Sequence, residues 1–244
     1  MSGTPEDWNQ PNMFASAASP DPVDLRDPTA RPGRLAVGVI SAGRVGAVLG
    51  AALRGAGHRL IGVSAVSAAS RRRAATLLPD VEVRSPDEIG PDADLLVFAV
   101  PDDELPGLIE GLASAGVLHA GQFVVHTSGR YGIEVLSPAT EIGALPLALH
   151  PVMTFTGTAI DLDRLTGVCF GVTSLPVLRP VAETLVLEMG GDPVWIDEAD
   201  RVLYHAALAH GANHLVTLVT SSMDLLRAAG VDDPQRLLGP LLSA

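Results

Sequence analysis

The sequence predicts an α/β protein, a doubly wound parallel sheet followed by a mainly α-helical C-terminal domain. Three observations carry this. Residues 34–57, RLAVGVISAGRVGAVLGAALRGAG, set a short apolar run, a glycine-bearing turn and an amphipathic stretch in succession. That is the order of strand, tight turn and helix that opens a Rossmann-like dinucleotide-binding βαβ unit. Apolar runs then recur with helical stretches between them, as parallel strands covered on both faces require. From about residue 197 the chain reads as helix almost without a break.

Residues 1–33 are rich in Pro, Ser, Asp and Ala without an apolar period, and read as a flexible N-terminal tail. The dinucleotide-binding domain is expected over 34–155. Its first strand is Leu35 to Ile40, and the turn Ser41, Ala42, Gly43, Arg44, Val45, Gly46 follows. Gly43 would let backbone approach a pyrophosphate, Gly46 would let helix pack on strand, and the helix start would offer free N–H groups. Ser41 stands where the fingerprint has its first glycine. The other reading of this turn is structural, a strand-to-helix connection that binds nothing.

The second strand is Arg59 to Val66, the third Val81 to Val83, the fourth Leu95 to Val100, the fifth Gly121 to Val125 and the sixth Leu145 to Leu149. No acidic residue ends the second strand, where NAD-binding units hold the ribose hydroxyls. Ser64, Ser67 and Ser70 followed by Arg71, Arg72 and Arg73 suit instead the 2′-phosphate of NADP, because guanidinium forks match phosphate; a solvated basic helix start is the alternative. Residues 156–196 are a connecting strand–helix–strand region. Residues 197–244 form a helical C-terminal domain that reads as incomplete, with one long helix to about Ala229 and Gly230 as its stop.

Composition bounds the function. The formal charge of -12 argues against a nucleic-acid or anionic-membrane partner. No signal peptide and no run long enough to span a bilayer are expected, which reads as a cytoplasmic protein. The single cysteine, Cys169, reads as a buried small hydrophobe. All sixteen basic residues are arginine, so any proton donor must be His, Tyr, Asp, Glu or water rather than lysine.

Ligands in such sheets bind beyond the carboxyl ends of the strands. His126, Thr127, Ser128 and Gly129 follow the fifth strand and His150 ends the sixth. These are candidates for holding a small substrate, with helix capping by Ser128 and an internal bond for His126 as the structural reading. On the long helix, His210 and His214 share a face, but no Glu accompanies them as in HExxH, and no metal is expected. His205 and Asn213 lie about eighty degrees apart around the helix, so both could reach one cleft. A histidine near a bound ketone is the natural proton donor here.

With GVISAGRVG at 38–46, VPDDEL at 100–105, HTSG at 126–129, GALPLALHPVMTF at 143–155 and RVLYHAALAHGANHLV at 201–216, the chain resembles a bacterial family. Its members join a Rossmann-like NADP-binding domain to a C-terminal helical domain of unknown function, and are distantly related to pyrroline-5-carboxylate reductase and ketopantoate reductase. The resemblance implies NADPH bound at Ser41 to Gly46 and around Ser67 to Arg72, with Val100 and Pro101 beside it. It also implies a substrate cleft lined by Ser128, His150, His205 and Asn213, and a homodimer. The expected reaction is NADPH-dependent reduction of a small 2-oxo acid, ketopantoate for preference. His205 or His150 would supply the proton and Asn213 would orient the carbonyl. An imine reductase of the pyrroline-5-carboxylate type is the alternative, and a non-catalytic NADP(H)-binding or sensing protein the rival from another class.

Overall fold

A computed structural model describes residues 33–242. Residues 1–32 of the expected tail, with Trp8 and Phe14, lie outside the described residues. Seven strands form one sheet: β1 Ala36–Ile40, β2 Arg59–Val63, β3 Leu95–Phe98, β4 Phe123–His126, β5 Leu145–Pro151, β6 Cys169–Ser174 and β7 Asp192–Trp195. Their order is β2-β1-β3-β4-β5-β6-β7. The first five are mutually parallel, β6 runs antiparallel to β5, and β7 is parallel to β6. The helices are α1 Arg44–Gly55, α2 Ala68–Leu77, α3 Pro86–Ile89, α4 Leu105–Ser114, α5 Ser137–Glu141, α6 Ile160–Leu165, α7 Arg179–Glu188, α8 Arg201–Ala228 and α9 Gln235–Leu242.

The doubly wound sheet with a helical C-terminal region is as expected, with three corrections. The third strand expected at Val81–Val83 is only a single bridge between Val83 and Val63; Val83 is exposed and Asp80 turns the chain with φ +70°. Residues of the expected connecting region supply β6 and β7, which continue the same sheet. Cys169 is exposed rather than buried, because it is the first residue of β6, one pleat short of the part of that face that α8 covers.

Strand alternation divides the core into two layers. Val37, Val39, Leu95, Val97, Val125, Leu147, Leu149, Phe170 and Val172 meet buried residues of α1 and α7 on one face. Ile40, Leu96, Phe98 and Val124 meet α4 and the segments around α3 and α5 on the other. Further along that second face the strands carry His126, Ala148, His150, Gly171 and Thr173, in register across β4, β5 and β6. Ala148 and Gly171 are small, and the first turn of α8 fills the space they leave. The helix then continues with mostly exposed side chains until Gly230, whose φ of +87° ends it. No helix among the described residues is long and apolar enough to cross a membrane.

Candidate functional site

The turn after β1 has the geometry of a phosphate cradle. Ser41 takes φ +81°, the left-handed conformation for which the fingerprint uses glycine. Ser64, at the end of β2, holds it there: the Ser41 N–H donates to Ser64 Oγ at 2.8 Å and the Ala42 N–H to the Ser64 carbonyl at 2.7 Å. A Cβ on Gly46 would strike the Ser41 carbonyl and stand 2.9 Å from Ala99 Cβ, so this glycine sets the close packing of α1 on the sheet. A Cβ on Gly43 would meet nothing nearer than Ser41 Oγ at 3.4 Å. The space there is open, and α1 begins with neither a side-chain cap nor an acidic residue in its first turn. Its first N–H groups and the positive end of its dipole are thus available to an anion.

Ser41 in the left-handed region costs roughly 1–2 kcal/mol, against roughly 0.5–1 kcal/mol of extra chain entropy that glycine would bring. Ser41→Gly should therefore raise Tm by a few degrees, about 2–4 °C per kcal/mol in a chain of this size, and leave cofactor affinity within about threefold. A lower Tm in a thermal melt would contradict this reading of the turn.

At the second strand the expected residues separate. Ser67 caps α2, accepting from the Ser70 N–H at 3.0 Å, and the two hydroxyls bond each other. Ser70 is buried and also donates to the Ser67 carbonyl, so its hydroxyl is spent on the cap. Arg71 and Arg72 are exposed on the first turn of α2, Arg71 Nε donating to the Ala65 carbonyl at 3.3 Å. Arg73, the third arginine of the run, instead reaches back to the turn and donates to the Ala42 carbonyl at 3.1 Å. The loop after β5 lies over it: a Cβ on Gly157 would stand 2.9 Å from both Arg44 Cγ and Arg73 Cδ. Two guanidinium stems thus flank the phosphate turn. Its open glycine face and uncapped helix start fit a dinucleotide. Pro101 is exposed and Val100 half-buried just beyond the carboxyl end of β3.

The second cluster gathers where β4, β5 and the first turns of α8 meet. A Cβ on Gly129 would stand 2.5 Å from His205 Nδ1 and 2.8 Å from His150 Nε2, so both imidazoles converge on this glycine. His150 Nδ1 is bonded to Tyr204 Oη at 2.8 Å, and Tyr204 Oη in turn lies against Gly171. Burial raises the Tyr204 pKa, so the phenol keeps its proton while it shares the hydrogen bond with His150 Nδ1, and His150 Nε2 faces Gly129. His205 Nδ1 is buried without a hydrogen-bond partner. The ring edge packs directly on Gly129, so the protein itself encloses this nitrogen. Ser128 is buried, and its hydroxyl accepts from the Arg130 and Tyr131 N–H groups at 3.2 and 3.3 Å, which leaves its own proton to donate.

His126, Thr127 and Asn213 do not join this cluster. His126 is fully buried, with Nε2 bonded to the Gly132 carbonyl at 2.7 Å and Nδ1 accepting from the Ser128 N–H at 3.2 Å. It shapes the loop and has no ring nitrogen left for a substrate. Thr127 falls on the opposite side of the strand's end, lining a small apolar void with Leu49, Val97 and Leu149. Asn213 is exposed on α8, about 12 Å further along the helix than His205 at the usual rise. His210 and His214 stack on each other, ring centroids 4.2 Å apart, at the surface. Tyr204, to which the sequence assigns no role, joins the cluster through His150; Tyr204 and His205 follow Arg201 by three and four residues, the spacing of one helical face.

Burial lowers the pKa of His126 to about 4, and the same holds for His150, where nearby Arg201 and His205 add to the effect. Both side chains are neutral in the folded state near pH 6, whereas the unfolded chain takes up protons below about 6.5. Stability is therefore fully present above about pH 6.5 and is lost as pH falls toward 4, by up to about 1.4 kcal/mol per pH unit for each histidine. Thermal melts between pH 6.5 and 5, above the carboxylate range, should show Tm falling with pH, and His126→Gln should flatten the slope. An unchanged slope in that variant would remove His126 from the account.

The glycine turn with its flanking arginines after β1 and the histidine–tyrosine cluster after β4 and β5 both lie at the carboxyl edge of the parallel strands, the edge at which dinucleotide-binding folds hold their ligands. The chain belongs to the Rossmann-like domain family, which matches residues 20–151, and residues 168–244 match a domain of unknown function, DUF2520. No protein of curated function matches the sequence. Among solved structures, a Bacteroides fragilis protein assigned as an NADP oxidoreductase superposes with a TM-score of 0.69 at 18% identity, over 86% of this chain and 78% of its own. The NADPH-bound reductive aminase of Aspergillus terreus gives 0.66 at 17%, over 86% and 72%. The Plasmodium falciparum pyrroline carboxylate reductase with NADP bound gives 0.59 at 14%, over 86% and 75%. The fold is thus one shared with NADP(H)-dependent oxidoreductases.

Proposed function

We propose that this protein is an NADP(H)-dependent oxidoreductase that reduces the carbon–nitrogen double bond of a small imine. The observation that carries the reading is the convergence of His150 Nε2 and the unpartnered His205 Nδ1 on Gly129. The bound cofactor would supply hydride. Arg44, Arg73, the Ser41–Gly46 turn and the first N–H groups of α1 would hold its phosphates, with Ser67 and the exposed Arg71 and Arg72 at the ribose end. Beside Gly129 the Ser128 hydroxyl has a proton to donate, and His205 is the group with spare hydrogen-bonding capacity.

Reducing a ketone leaves an alkoxide that must take a proton from the protein, and of the two histidines at Gly129 burial disfavours the charged form of His150. An imine is basic enough to arrive as iminium, and its reduction yields a neutral amine with no further proton. A cyclic imine also stands in the name of one structural relative, pyrroline carboxylate reductase, and a ketone together with an amine in that of another, a reductive aminase. The exposed leucines of α8 and α9, including Leu203, Leu215, Leu225 and Leu241, support a homodimer that covers this helix, which sedimentation would test.

The deciding experiment is NADPH and NADH titration by nicotinamide fluorescence, followed by NADPH oxidation with 1-pyrroline-5-carboxylate, 2-methyl-1-pyrroline and ketopantoate. Tight NADPH binding with oxidation by an imine is expected. Oxidation by ketopantoate alone would move the assignment to 2-oxo-acid reduction, binding without oxidation would make the chain a sensor, and no binding would end all three.

A further inference from the structure

We infer that His210 and His214 are a ligand pair for a divalent transition-metal ion, zinc above all, and that one ion is shared by two copies of the chain. The pair lies outside the histidine–tyrosine cluster, and its binding of metal does not depend on the proposed reaction. The sharing rests on the homodimer proposed above.

The two histidines stand four residues apart in HGANH at 210–214, on one side of α8, and both are exposed. Their rings are stacked, with centroids 4.2 Å apart and planes at 36° to each other. His214 Nδ1 lies 2.9 Å from the His210 carbonyl oxygen. That oxygen only accepts, so Nδ1 carries the proton and the lone pair of the neutral ring is on Nε2. A metal-bound imidazole is arranged in this way, its second nitrogen donating to an oxygen that fixes tautomer and orientation. His210 spends no ring nitrogen on this bond, since only its carbonyl takes part. Two nitrogens that bind one zinc ion tetrahedrally at about 2.0–2.1 Å stand about 3.3 Å apart, and the helix already holds the rings at nearly that spacing. The expectation of no metal rests on the missing glutamate of HExxH. That glutamate is the motif's general base rather than a ligand, so its absence takes away hydrolysis and leaves the two donors.

Two donors are half of a set. Zinc takes four ligands, and among the described residues no group of three or more His, Cys, Asp or Glu is placed to hold a metal ion. The surroundings of the pair point to a second copy. Leu203, Ala207, His210, His214, Thr217 and Ser221 follow one another at alternating spacings of four and three, the seam along which helices pair. All six are exposed, and none is charged. The histidines are the middle pair of this row, flanked by alanine, threonine and serine, which are small enough for a second helix to come close. A two-fold axis at the centre of the row, as in an isologous dimer, sets the pair against its own copy and brings four imidazoles to one point.

The test uses the untagged full chain, stripped with a chelator. It is titrated with Zn2+ and with Mg2+ by calorimetry and sedimented with and without zinc. The wild type should bind one Zn2+ per two chains, ignore Mg2+, and sediment as a dimer that zinc tightens. Losing only the outer partner of a metal ligand costs about 10–100-fold in affinity, so His210→Ala or His214→Ala, each removing a ligand itself, should weaken zinc by at least about a hundredfold. Both positions are exposed, so Tm and NADPH affinity in zinc-free buffer should not move. His119→Ala, at an exposed histidine on another segment, should bind zinc as the wild type does.

No binding of zinc, or equal binding by all three variants, overturns the inference. A dimer that forms without zinc and takes none up sinks the metal site and leaves the homodimer standing. One ion per chain on a monomer sinks the sharing and the homodimer together, and leaves the pair as ligands.

Discussion

Gly129→Ala should lower reductase turnover by about a hundredfold or more while leaving NADPH affinity within about twofold. The added methyl group would stand 2.5 Å from His205 Nδ1 and 2.8 Å from His150 Nε2, closer than any real Cβ contact allows. Both imidazoles must shift. His150 is tied by its bond to Tyr204, and His205 is half-buried with its Nδ1 enclosed. The displacement approaches 1 Å in the groups that would align substrate, and misplacement of that size costs on the order of a hundredfold in rate. Gly129 is not in the left-handed region, so alanine adds no backbone strain there and the effect should be local. Turnover and fluorescence titration on the same preparation check both halves. Loss of NADPH binding in parallel, or full activity, would show that the histidines do not close over this glycine.

Gly46→Val should have the opposite signature, with loss of cofactor binding and stability together. The new side chain would run into the Ser41 carbonyl, Ala99 Cβ at 2.9 Å and Val39 Cγ1 at 3.2 Å. The first of these is backbone, held by the bonds of Ser41 and Ala42 to Ser64, so α1 must lift from the sheet. Overpacking of this kind costs roughly 1–3 kcal/mol. That corresponds to a fall in Tm of up to about 10 °C in a chain of this size, and the phosphate turn is deformed with it. Gly55→Ala, in the last turn of the same helix with nothing within 4 Å of its Cβ, should be neutral or slightly stabilising. Equal behaviour of the two variants would mean that Gly46 has no special part in helix–strand packing.

Much of the fold was legible in the chain itself. The β1–turn–α1 unit, the apolar strands of the parallel sheet and the long helix ending before Gly230 follow from local periodicity, turn chemistry and the left-handed preference of glycine. These depend on residues near one another in sequence. Ser41 was legible as a departure from the fingerprint, though not that Ser64 would hold it in the conformation of the missing glycine. Ser128, His150 and His205 were recognisable because they fall at strand ends or on the long helix, where clefts form.

Other parts of the molecule only the tertiary structure decided. The antiparallel insertion of β6 depends on pairing across the sheet, which no local pattern encodes. His126 and His150 are both strand-terminal histidines, yet one is consumed by its own loop and the other meets Gly129 and Tyr204. Arg73 reaches the phosphate turn while Arg71 and Arg72 do not, a difference set by helix phase. Arg201 reads in sequence as an ordinary surface arginine at a helix start. It is buried because Ala148 and Gly171, distant in the chain, leave a hollow of its size on the sheet. Local sequence determined the elements and the residues available to chemistry; packing between distant segments determined which of them meet.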